Sequence, residues 1–137
     1  MEKAYEEFAG QFAQRIVRKE YESARELLAP WLHDTVSAVQ LEEMVRENCK
    51  ELPAPAEFDV DSNSCGLEDL TVDPHSPPTR PLPGEITPQN YRQWMVIQFK
   101  PAEDDETGYD ACFDLWMALV EVNGALKIGY LEAAGAD

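Results

Sequence analysis

Tyr130 and Glu132 stand two residues apart in a strand-like run, so a β-strand would place both on one face. A carboxyl beside a phenol can serve as proton acceptor and hydrogen-bond donor in a proton transfer, provided apolar surroundings raise the acid's pKa. The plainer reading keeps Tyr130 as ordinary core and lets Glu132 reach water at the end of the sheet. His33 and Asp34 are the second pair with catalytic chemistry. Neighbours in sequence point in different directions, and a loop His-Asp more often serves a turn or a helix start. Tyr130, Glu132, His33 and Asp34 are therefore the catalytic candidates, each weighed against a structural role.

The remaining reactive side chains argue against bound cofactors. His75 has no metal-ligand spacing to His33 or to a cysteine, and the run Glu103, Asp104, Asp105, Glu106 lacks the alternation and glycine of a calcium loop. No Gly-rich phosphate loop and no nucleophile elbow occurs. No metal and no cofactor are expected. Cys49, Cys65 and Cys112 are widely spaced, odd in number and outside any C-x-x-C pattern, which points to free thiols in a reducing compartment. A net charge of -16 argues against nucleic acid, whose phosphates need a basic patch, so nucleic acid is not an expected partner and a basic protein is the natural complement. The opening Met-Glu-Lys-Ala-Tyr-Glu-Glu is too charged for a signal peptide, and no apolar run reaches membrane-spanning length. A cytoplasmic protein without membrane contact is expected.

The elements that must position these residues begin with a hairpin. Two strand-like runs, 110–122 and 125–133, are joined by Asn123-Gly124, a pair suited to the positive φ angles of a type I′ turn. A two-residue loop fixes the register, predicting Val122 opposite Ala125, Val120 opposite Lys127, Ala118 opposite Gly129 and Trp116 opposite Leu131. One face then carries Phe113, Leu115, Met117 and Leu119 with Leu126, Ile128 and Tyr130, and Glu132 lies across from Leu115. The other face carries Cys112, Asp114, Trp116, Ala118, Val120 and Val122 with Leu131 and Ala133. A preceding strand alternates Tyr91, Gln93, Met95, Ile97 and Phe99 with Arg92, Trp94, Val96, Gln98 and Lys100. Phe58 and Val60 alternate with Asp59 and Asp61 as a short acidic edge strand.

Three helices are predicted upstream. Tyr5, Phe8, Ala9, Phe12, Ala13 and Ile16 share one face of the first. The second runs from about Tyr21 to Ala29 and stops at Pro30, with Trp31 and Leu32 folding back onto the core. The third starts at a capping box of Ser37 and Gln40, buries Leu41, Met44, Val45, Cys49 and Leu52, and ends at Pro53. Six of the ten prolines fall in residues 71–90, which reads as an extended surface loop with polyproline character. The length fits one domain over 1–137.

The run from Phe12 to Leu32, with its Tyr21, Ala24, Leu27-Leu28 and Pro30, together with the final hairpin, resembles the nuclear-transport-factor-2-like superfamily, the cystatin-like cone fold. The resemblance implies an α+β protein, three N-terminal helices packed on a curved, mainly antiparallel, cone-like sheet. In that superfamily the pocket lies between the helices and the concave sheet face, here the face of Phe113 and Tyr130. Its members include isomerase-like and dehydratase-like enzymes, ligand-binding domains, transport adaptors and immunity proteins of toxin systems. The opposite face aligns Trp94, Val96, Trp116, Ala118, Val120 and Leu131 as an apolar patch suited to a homodimer, unless the Pro-rich segment covers it. The leading expectation is a non-catalytic binding module for a basic protein partner, immunity-like, or for a small apolar ligand. The competing expectation is a small cone-fold isomerase or dehydratase that uses a pocket acid and base.

Overall fold

The computed structural model describes residues 2–48, 55–63, 65–100 and 113–135. Cys49, Leu52, Pro53, Cys112 and the run Glu103 to Glu106 fall outside them. Helix α1, Glu2–Val17, buries Ala9, Phe12, Ala13 and Ile16, the stripe its spacing predicts. Its end is a Schellman turn: Glu20 N–H donates to Arg15 O at 2.8 Å and Lys19 N–H to Ile16 O at 3.0 Å, with Lys19 left-handed at φ 62°. Helix α2 covers only Tyr21–Arg25, and α3, Pro30–His33, follows. Pro30, read as the stop of one longer helix, opens a separate one, because a missing N–H costs nothing in a first turn. There are thus four described helices rather than three. Helix α4, Ala38–Asn48, begins at the expected capping box: Ser37 N–H donates to Gln40 Oε1 at 2.7 Å, and Gln40 N–H to Ser37 Oγ at 3.2 Å.

Strands β1 (Glu57–Asn63), β2 (Tyr91–Lys100), β3 (Phe113–Val122) and β4 (Ala125–Gly135) form one antiparallel sheet in the order β1-β2-β3-β4. The β3–β4 turn has Asn123 at φ 52° and Gly124 at φ 82°, as a type I′ turn requires. The predicted register holds from Val122↔Ala125 through Leu119↔Ile128, then fails at Ala118. Leu119 pairs with Ile128 but Ala118 pairs with Tyr130, so Gly129 is an extra residue in a β-bulge. Every side chain beyond it changes face. Leu131 and Ala133 turn to the helices, while Tyr130 and Glu132 turn away, Glu132 opposite Trp116 instead of Leu115. A cause of the bulge is visible at Gly129. A Cβ there would lie 2.9 Å from Val120 Cγ1 and 3.1 Å from Trp31 Cζ2, and the Trp31 indole donates to Gly129 O at 2.9 Å. A second irregularity between Tyr91 and Gln93 places Tyr91 on the outer face, away from the Met95 row it was predicted to join.

The helices cover one side of the sheet. Phe12, Ile16, Leu28, Leu41, Val45, Phe113, Leu115, Met117, Leu119 and Ile128 are buried there as predicted, with Phe8 and Met44 packed against them. The other side has a core of its own. Trp94, Ala118, Val120, Tyr130, Tyr91, Ile86 and Ala29 are buried, and Cys65, Leu67, Leu70, Leu82 and Trp116 pack against them. Residues 65–90 therefore form a strap across the outer face. Proline-rich backbone lacks the donors to extend a sheet, yet its side chains can cover one. This corrects the expected interface patch: Trp94, Ala118 and Val120 are sealed within the chain, Leu131 lies on the helix side, and Val96 and Trp116 stay half-buried.

Both sheet edges are protected. On β4, Ile128 N–H donates to Leu27 O at 2.9 Å and Ala29 N–H to Ile128 O at 2.8 Å. On β1, Glu57, Asp59 and Asp61 are exposed charges that discourage pairing with another strand. No described helix is long and apolar enough to cross a membrane.

Candidate functional site

The bulge at Gly129 brings Tyr130 and Glu132 together where the strap crosses β4. The Tyr130 hydroxyl donates a hydrogen bond to Glu132 Oε1. Thr79 of the strap supplies two more donors, its amide to Oε1 at 2.9 Å and its hydroxyl to Oε2 at 2.6 Å. Next to it, Arg80 lies over the Tyr130 ring, 5.8 Å from the centroid, and donates to Leu131 O at 3.4 Å. One carboxylate thus ties strap to sheet.

The electrostatics oppose proton-transfer chemistry. Burial pushes Glu132 up, but donation from the Thr79 hydroxyl, from Tyr130 and from the Thr79 amide, with the charge of Arg80, outweighs it and leaves the carboxyl below its usual range. Burial first, then the bond to Glu132 and its charge, push Tyr130 up to about 12 against the lowering effect of Arg80. A base needs the reverse of the first shift.

Above this tie the aromatic rings stack into a ladder. Trp94 and Tyr130 flank Ala118 on the two neighbouring strands, and their ring centroids meet at 6.0 Å with planes 28° apart. Ala118 permits this because its methyl leaves room for both rings. Trp116, diagonal to Trp94, continues the stack at 6.0 Å and 25°. At the Tyr130 end, an open hollow of about 280 Å³ is lined by Leu32, Thr35, Val36, Arg80, Pro81, Pro83, Tyr130 and Leu131. At the Trp116 end, a hollow of about 230 Å³ lies between strap and sheet.

Tyr130 and Glu132 meet at the strap, whereas His33 and Asp34 take part neither in that contact nor in the lining of the Tyr130 hollow. The His33 carbonyl accepts from Arg25 Nη2 at 2.8 Å while Arg25 Nε reaches Val36 O at 3.2 Å, and Asp34 is the exposed cap of α3. Arg25 thereby holds the α3–α4 connection, and His33 Nε2 is buried without a partner. Asp114 sits further along the outer face with Oδ1 unpartnered, and burial raises its pKa. Among the described residues no three His, Cys, Asp or Glu side chains gather as a metal site needs.

Thr79 and Arg80 escaped sequence reasoning because they lie inside a proline run that carries no periodicity. A usable signal was the parity change in β4, where Leu126 and Ile128 are even-numbered and Leu131 and Ala133 odd. No known family model, curated protein or solved structure matches this α+β chain.

Proposed function

We propose that this chain is a non-catalytic binding module, a small acidic cytoplasmic protein on a cone-like, nuclear-transport-factor-2-like scaffold that binds a basic protein partner in the manner of an immunity protein. The observation that carries this reading is the filled helix-facing side of the sheet. Phe12, Met95, Leu115, Met117 and Leu119, all at 0% exposure, occupy the space where a cone-fold enzyme would hold its substrate. The isomerase or dehydratase alternative needs a carboxyl raised toward neutrality, and Glu132 is shifted the other way. Charge supplies the attraction: at -16 the surface steers a basic protein and speeds its association.

The products of the genes flanking this one, each expressed with the tagged chain, test the reading. A partner of positive net charge should co-purify and associate several-fold more slowly at 0.5 M salt than at 0.05 M, as roughly expected of a steered encounter. Failure of every neighbour to bind, or an association rate indifferent to salt, would overturn it.

A further inference from the structure

We infer that the hollow at the Trp116 end of the aromatic ladder receives a single cationic side chain, an arginine or lysine of the basic partner; this rests on the binding-module reading. The hollow is about 230 Å³, room for one long side chain, with Trp94 and Trp116 contributing from the sheet. The strap supplies Asp69 and Asp73 at the rim and Pro77 and Pro78 in the wall. Both carboxylates are held in place by backbone donors: Gly66 N–H reaches Asp69 Oδ2 at 3.2 Å and His75 N–H reaches Asp73 Oδ1 at 2.8 Å. Their orientation is thus set before any ligand arrives.

An indole face attracts a cation through its quadrupole, and flanking carboxylates add charge complementarity that a neutral apolar group would not match. The chain already uses this chemistry at the opposite end of the same stack, where its own Arg80 guanidinium lies 5.8 Å from the Tyr130 centroid. Trp116 is half-buried and lines the hollow, so it is not sealed away from a partner as Trp94 is. The net charge of -16 makes a cation the favoured occupant of any such opening.

Titration of the full chain with N-acetyl-arginine methylamide, followed by the Trp116 indole N–H resonance, tests the inference. A saturable shift is expected at concentrations on the order of millimolar, as suits one side chain. The uncharged N-acetyl-norleucine methylamide should leave the resonance in place, and the double variant Asp69→Asn, Asp73→Asn should weaken the arginine response roughly tenfold. The Trp94 indole resonance reports whether that variant is folded. If it is not, Asp73→Asn alone carries the comparison. An equal shift with the norleucine compound would make the hollow merely apolar, and no shift, or one unaffected by loss of the carboxylates, would remove the site.

Trp116→Leu separates this inference from the one beneath it. Partner affinity should fall at least several-fold in that variant. Unchanged partner affinity would sink the hollow and leave the binding module standing. A normal arginine titration without any partner would do the opposite.

Discussion

Tyr130 donates a hydrogen bond to a carboxylate that Thr79 already holds from two sides, and the consequence is a pH signature. The folded chain raises Tyr130 from 10.0 to about 12, chiefly by burial. A group raised on folding contributes stability that is complete below its unfolded value and is lost as the pH climbs through the folded one. Stability should therefore decline between pH 10 and 12. Tyr91 shifts in the same direction, also through burial, so Tyr130→Phe should flatten this limb without abolishing it. At neutral pH the variant should cost roughly 1.5 to 3 kcal/mol through the lost bond to a charged acceptor. Denaturant midpoints from pH 7 to 12 measure both effects. Parallel alkaline limbs in wild type and variant would show that Tyr130 ionises as freely folded as unfolded. The pairing of Tyr130 with Glu132 was legible in the sequence, because residues two apart in a strand share a face. Its direction was not, since Thr79 reaches Glu132 from 53 positions away and nothing local announces that contact.

At the scale of elements, β4 shows where pattern reading succeeds and where it stops. Asn123-Gly124 fixed the turn and the first pairs because their backbone angles are a local property. The bulge sits against Trp31, 98 residues away, whose indole lies against Gly129 and bonds its carbonyl. Strict alternation therefore put Tyr130 in the wrong layer, together with Leu131 and Glu132. Helix α4 was readable for the same reason as the turn: Ser37 and Gln40 satisfy each other within one turn of chain. Gly129→Ala tests the tertiary cause. Its methyl would meet Val120 and Trp31 at 2.9 and 3.1 Å, so a loss of about 1 to 3 kcal/mol is expected, with a changed Trp31 indole resonance. A neutral substitution would mean that the bulge arises elsewhere.

The whole molecule is a sheet with two unequal covers, helices on one side and a proline-rich strap on the other. The strap is fastened to β4 through Glu132, which accepts from Thr79 with both oxygens. Glu132→Gln removes the charge and turns one acceptor into a donor, so the Thr79 hydroxyl must reverse and accept, and the tie keeps only weaker neutral hydrogen bonds. Hydrogen exchange across residues 76–86 should accelerate while β3 stays protected, the behaviour of a local opening. Uniform acceleration, or none, would show that the strap does not move as a separate unit. The covers of β4 also have an order in time. Leu27, Ala29 and Trp31 precede β4 in the chain, and so do Thr79 and Arg80. During synthesis each group that closes its edge has left the ribosome before β4 emerges. The strand most able to recruit a stranger is thus made when its own neighbours are already waiting, and a nascent chain has little interval in which to polymerise through it.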